Sequence, residues 1–174
     1  MGKWLRSVSP SGYRAVDFVP ELYPNLGTEK FDLVSDSPGL PSNEYDLIIH
    51  SHVMEHIPIN LAYVMFHLSR ALKPDGYHVF SIPISGGRHD EYFGPIAPKD
   101  ATLRFGQRDH VRIISKIDFN RNIGAIMKLK TEYDMSSVFS SDVLTAANIP
   151  TEARTGLTGS TVFITRKTDY ALSF

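Results

Sequence analysis

Tyr45-Asp-Leu-Ile-Ile-His-Ser-His-Val-Met-Glu-His-Ile-Pro58 opens the stretch that decides the fold. It continues through a helical run to Leu72, then Lys73-Pro-Asp-Gly76, then Tyr77-His-Val-Phe-Ser-Ile-Pro83. Leu47, Ile48 and Ile49 form a short continuous apolar run, which predicts a strand buried on both faces. Polar residues follow at once: His50, Ser51, His52, Glu55 and His56. Asn60 suits a helix N-cap, and Leu61, Val64, Met65, Leu68, Ala71 and Leu72 repeat with helical spacing. Pro74 and Gly76 are expected to stop that helix and turn the chain. Val79, Phe80 and Ile82 predict a second buried strand. A strand–helix–strand unit of this kind pairs its strands in parallel, and ligands collect beyond their carboxyl ends. His50–His56 lies at one such end and Pro83–Gly87 at the other.

Working outward, Trp4, Leu5 and Val8 are spaced as the last turns of a helix that Ser9-Pro-Ser-Gly12 breaks. Tyr13–Phe18 predicts a short strand with Asp17 at its end, and Phe31–Ser35 another with Asp36 after it. A carboxylate just past a strand either closes a turn or accepts two hydrogen bonds from a ribose diol. Residues 84–107 carry five glycine or proline breaks between Gly86 and Pro98. They predict a lid or insert loop without regular structure, starting at the carboxyl end of the second strand. His89 lies within it. Phe105-Gly-Gln-Arg-Asp-His-Val-Arg112 follows. There His110 is a candidate substrate contact or general base, since imidazole titrates near neutral pH. Arg108 and Arg112 suit a substrate carboxylate or phosphate, or simply solvent. Ile117–Lys128 predicts a helix and Ser160–Arg166 a strand. Tyr133–Val138 and Val143–Ala147 are left ambiguous, one of them a possible partner strand.

The composition bounds the class. The 174 residues suit one domain (residues 1–174), and 42% hydrophobic with 21% charged content is that of a folded chain. A formal net charge of −1 offers no basic excess for nucleic acid. Cysteine is absent, so disulfides and thiolate chemistry are excluded. No apolar run approaches the ~18 residues of a membrane span. Without a secretory signal core at Met1–Ser7, a cytoplasmic location is expected. His52 and His56 stand one helical turn apart with Glu55 between them, which raises zinc as an alternative. A third ligand from His89, Asp90 or His110 would then be required, and no metal is assigned.

Asp46–Pro58, followed by Leu68-Ser-Arg-Ala-Leu-Lys-Pro-Asp-Gly76, resembles the class I S-adenosylmethionine-dependent methyltransferases, in particular the small-molecule group. The Phe105–Arg112 stretch resembles a segment found in a subset of them. The resemblance covers roughly residues 13–130. It implies an α/β, Rossmann-like sheet that ends in an antiparallel C-terminal strand. It also implies S-adenosylmethionine as cofactor, with Asp17 on the ribose, Asp36 on the adenine amino group, and Ser51 and His52 on the methionine side. His89, Arg108 and Arg112 would serve the substrate, and His110 the chemistry. The implied acceptor is a small molecule such as a sugar or natural product.

One departure is large. The family's first strand carries a glycine-rich loop, and a strand, loop and helix need about 25 residues. Only 12 residues precede Tyr13, and none reads Gly-x-Gly. The sheet is therefore expected to be truncated, its first strand missing. Three consequences are open. The chain binds cofactor through Asp17, Asp36, Ser51 and His52 alone. Or it acts as a non-catalytic scaffold or regulatory subunit. Or a homodimer or partner subunit completes the sheet. If the first strand is missing, residues 13–18 should pair with 45–51, or a dimer should fill the gap.

Overall fold

A computed structural model describes residues 1–171 and resolves two compact units, Met1–Leu40 and a second one from Pro41 onward. In the first unit, helix α1 (Gly2–Val8) is followed by two short strands, β1 (Val16–Asp17) and β2 (Glu29–Lys30). These pair in parallel, Val16 opposite Glu29 and Asp17 opposite Lys30. The expected strand at Phe31–Ser35 is instead a turn, because the Asp36 carboxylate accepts from the Asp32 amide at 2.7 Å and folds the chain back. Within this unit, β1 takes β2 as its partner. Little of this unit is buried. Trp4, Phe18 and Leu22 are 64%, 63% and 69% exposed.

The second unit is built on the stretch from Tyr45 to Pro83. Strand β3 (Tyr45–Ser51), helix α2 (Leu61–Ala71) and strand β4 (Leu72–Ser81) follow in order, and β3 and β4 run parallel. The Asn60 side chain accepts from the Ala62 amide at 2.8 Å and starts the helix. Leu61, Val64, Met65, Leu68 and Ala71 are all buried, as their spacing requires. The helix ends differently from expectation. Leu72 is already extended, and Lys73–Gly76 is absorbed as a bulge: Tyr45 pairs with Leu72 but Leu47 with Tyr77. Gly76 is required there, because a Cβ would sit 2.8 Å from the Tyr45 carbonyl oxygen. The Leu47–Ile49 run is also more open than expected. Leu47 is 42% exposed because β3 has a strand neighbour on one side only, among the described residues.

Strand β8 (Val162–Arg166) pairs antiparallel with β4 along its length, from Tyr77–Arg166 to Ser81–Val162. The antiparallel C-terminal strand is therefore present, but β4 is its partner. The two ambiguous segments are not strands: 135–137 is a single 3-10 turn, and Ser141–Ala146 is helical. Beyond the strand, Lys167 Nζ donates to the carbonyls of Leu72 and Arg70 and to the Asn43 side chain. A row of rings forms the centre. Phe80 lies 5.3 Å from Phe163, which lies 5.5 Å from Phe119, and all three are buried.

The 84–107 segment is more regular than a bare loop. Strands β5 (Ile84–Ser85) and β6 (Asp90–Glu91) both pair with β7 (Arg112–Ser115), and helix α3 (Pro98–Phe105) lies between β6 and β7 in the chain. Gly106 ends α3 with φ at 86°, a left-handed cap that suits glycine. Arg104 grips Asp90 with two hydrogen bonds of 2.7 Å and holds that carboxyl below its usual range. The helix expected over Ile117–Lys128 shrinks to α4 (Phe119–Asn122), since Gly124 follows and its backbone packs on Asn120. Its apolar positions Phe119, Ile123, Ile126 and Met127 are nevertheless buried. The last helix, α5 (Ser141–Ala146), buries only Leu144. No helix among the described residues is long and apolar enough to cross a membrane.

Candidate functional site

The carboxyl ends of β3 and β4 lie side by side, with Ser51 opposite Ser81. Their hydroxyls share a hydrogen bond of 2.6 Å, and the His52 amide donates to the Ser81 carbonyl at 3.1 Å. His52 then takes φ of 53°. A left-handed turn costs a non-glycine residue about 1 kcal/mol or more, and such turns concentrate where a site needs them. Here the turn ends the strand and leaves both Ser51 and His52 exposed at the rim. This is the position at which open α/β sheets bind ligands.

In the first unit, Asp17 is half-buried at the end of β1. Its Oδ1 accepts from the Val19 amide at 2.8 Å, which leaves Oδ2 for a further donor. Asp36 is exposed, with Oδ2 accepting from the Asp32 amide and Oδ1 from the Ser35 hydroxyl. Both oxygens already have a local donor, but a carboxylate has about four acceptor positions. Within the first unit, Asp17 keeps a carboxylate oxygen free for a further donor; within the second, Ser51 and His52 put a hydroxyl and an imidazole at a strand end.

The expected substrate residues separate. His89 lines a cleft of about 310 Å³ in the second unit, together with Glu91, Arg121, Ile126 and the start of α2. Its Nε2 lies 3.5 Å from Glu91, and the Asp118 carboxylate accepts from its amide at 2.9 Å. Arg121 was not among the sequence candidates. Its place inside Asn120-Arg-Asn122, within the predicted helix 117–128, carries no signal of a cleft. Arg108 is exposed and does not line that cleft. Arg112 must be corrected. It is 1% exposed, and its guanidinium donates to the Met54 and Ile59 carbonyls, with Glu91 3.5 Å from Nε. Burial lowers its pKa, and its two Nη groups donate to main chain.

His110 is likewise withdrawn from solvent, at 7% exposure. Its ring meets that of His56 edge-on at 4.7 Å. Burial and the neighbouring His56 lower its pKa, against the opposing effects of Glu55, the Phe105 carbonyl and Asp109. That environment favours a neutral imidazole.

Comparison with known proteins follows from this geometry. A family model described as a methyltransferase domain matches residues 1–121, which includes α1 and so reaches further toward the N-terminus than the sequence resemblance. The chain belongs to the methyltransferase-domain family, and its fold is the Rossmann-like fold of class I S-adenosylmethionine-dependent methyltransferases. Among solved structures, it is similar to the complex between the Haloferax volcanii Trm112 methyltransferase activator and a methyltransferase. There the TM-score is 0.55 and the identity 10%, over 95% of this chain and 78% of that one. It is also similar to Burkholderia thailandensis 1,6-didemethyltoxoflavin-N1-methyltransferase, solved with 1,6-didemethyltoxoflavin and S-adenosylhomocysteine. In that case the TM-score is 0.53 and the identity 16%, over 90% of this chain and 61% of that one. Streptomyces coelicolor geranyl diphosphate C-methyltransferase gives 0.50 and 10%, over 95% and 66%. No curated protein matches the chain.

Proposed function

We propose that the protein transfers a methyl group from S-adenosylmethionine to a small molecule. The observation that carries this reading is the rim formed by Ser51, His52 and Ser81 at the carboxyl ends of two parallel strands, in a chain of this family. The bound sulfonium supplies an activated methyl group, and positioning the acceptor in line with it is most of the catalysis. The residues divide that work. Asp17 offers Oδ2 to the ribose hydroxyls and Asp36 its remaining acceptor positions to the adenine amine. Ser51 and His52 face the methionine side. The acceptor occupies the cleft at the start of α2, where His89 and Arg121 orient its polar groups and Ile126 its apolar ones. Both illustrative neighbours solved with small acceptors, the toxoflavin precursor and geranyl diphosphate enzymes, lend the acceptor class its support.

Calorimetric titration with S-adenosylhomocysteine tests this. Micromolar binding that weakens about tenfold or more in Asp17→Ala is expected, as for loss of a charged hydrogen-bond acceptor. No binding at millimolar ligand would overturn it.

A second reading is favoured by the open edge of β3 and the exposed Trp4, Phe18 and Leu22. Unpaired strand edges and exposed large apolar side chains are what a partner covers. A homodimer or partner subunit would then complete the sheet, with the chain acting as its scaffold. Light scattering of the purified protein separates a dimer from a monomer.

A further inference from the structure

Glu55, His56 and His110 come together next to the strand-end rim, on the side of His52. One ligand atom from each lies within 4.8 Å of the others, and two of the three residues are buried. The convergence is fixed by the fold. The Val111 amide donates to the Glu55 carbonyl at 3.0 Å, which seats the segment before β7 against the 3-10 turn Met54–His56. Of the three third ligands that the sequence allowed, His110 alone joins; Asp90 is held by Arg104.

The groups are oriented as ligands. His56 Nδ1 lies 3.2 Å from the Asp109 carbonyl oxygen, so its proton belongs there and Nε2 keeps a lone pair, 4.0 Å from Glu55 Oε1. Metal-bound histidines are oriented by such carbonyls. Glu55 is 1% exposed, and its Oε2 is buried with no hydrogen-bond donor. A buried carboxylate oxygen left in this state is costly, and a cation relieves it.

We infer that Glu55, His56 and His110 bind one divalent ion of the zinc class, with His52 beside the open position. His52 Nδ1 is 3.2 Å from Glu55 Oε1, and its side chain is half exposed. Two imidazoles and one carboxylate are the donor set of an open zinc site. Ligand atoms around zinc stand about 3.3 Å apart, so the three draw in by up to roughly 1.5 Å on binding. The ion would pin the turn after β3 to the segment after α3. It takes no part in methyl transfer, so the binding test reads it independently of cofactor.

The test is titration of the metal-stripped full chain with Co²⁺ and then Zn²⁺. One Co²⁺ per chain with the visible absorption of a low-coordinate site is expected, displaced by one Zn²⁺. His56→Gln and His110→Gln should each weaken binding about 100-fold or more, while His67→Gln leaves it unchanged. His56 is partly exposed, so its variant reads the site even if His110→Gln unfolds. Absence of stoichiometric binding would mean that the cluster holds no ion. Binding that persists unchanged in His56→Gln would show adventitious surface coordination. Either result overturns the site.

Discussion

His50 and His78 lie side by side on β3 and β4, ring centroids 4.9 Å apart, and both contact Phe80. His50 as a residue is only half-buried, yet both of its ring nitrogens are covered and lack partners. Burial pushes its pKa from 6.5 to about 3. Burial also lowers His78, with His50 as a second cause; its Nδ1 is hydrogen-bonded to Tyr170, whose pKa is raised by burial. The folded pKa values lie below the unfolded one, so these groups favour folding above pH 6.5. That contribution is lost as pH falls from 6.5 toward 3, because the unfolded chain takes up protons that the folded one refuses. At pH 4.5, two units below the unfolded pKa, His50 alone removes about 2.7 kcal/mol. His78 adds a second loss of the same sign. Against an ordinary stability of about 5–15 kcal/mol, this is a large fraction. Urea unfolding of the wild type and His50→Phe between pH 7.5 and 4.5 measures it. The phenylalanine retains the ring contact and does not titrate. The variant should equal or exceed the wild type at pH 7.5 and exceed it by about 2–3 kcal/mol more at pH 4.5. Stability curves that run parallel across this range would refute the reasoning.

Arg112→Leu should cost about 3 kcal/mol or more, because it leaves the Met54 and Ile59 carbonyls without their buried donor; a loss under 1 kcal/mol in the urea midpoint would contradict that role. Gly76→Ala should cost about 1–3 kcal/mol through its clash with the Tyr45 carbonyl, whereas Gly86→Ala, which meets nothing within 4 Å, should cost far less; thermal melts of the pair compare them directly.

The strand–helix–strand unit was legible because its signals are local. Asn60 caps its own helix, and the apolar spacing of α2 is set by one helical face. The bulge at Lys73–Gly76 was not legible as such, since proline and glycine mark a turn equally well, and the choice rests on pairing with Tyr45. Short strands were missed for the same reason: β5, β6 and β7 are two to four residues long, and each exists only through its neighbours. Arg112 shows the limit at the site. Its acceptors lie 58 and 53 residues away, so its own surroundings in the sequence look the same for a solvated, a ligand-binding or a buried arginine. His52 and His56 were visible as a pair with Glu55 between them, but that Glu55 joins His56, and that His110 rather than His89 or Asp90 completes the group, rests on the seating of Val111 on Glu55.

The pairing of β4 with β8, and the grip of Lys167 on the carbonyls at the end of α2, join the middle of the chain to residues made 81 to 97 positions later. During synthesis, β4 emerges from the ribosome long before its neighbour exists. Until Val162–Arg166 follows, one side of β4 keeps its backbone groups unpaired, and Phe80 waits for Phe163. Nascent chains stalled before residue 162 should therefore remain protease-sensitive in the second unit, and those released past Lys167 should not. Vectorial folding of this unit is thus a terminal event, timed by translation of its final strand.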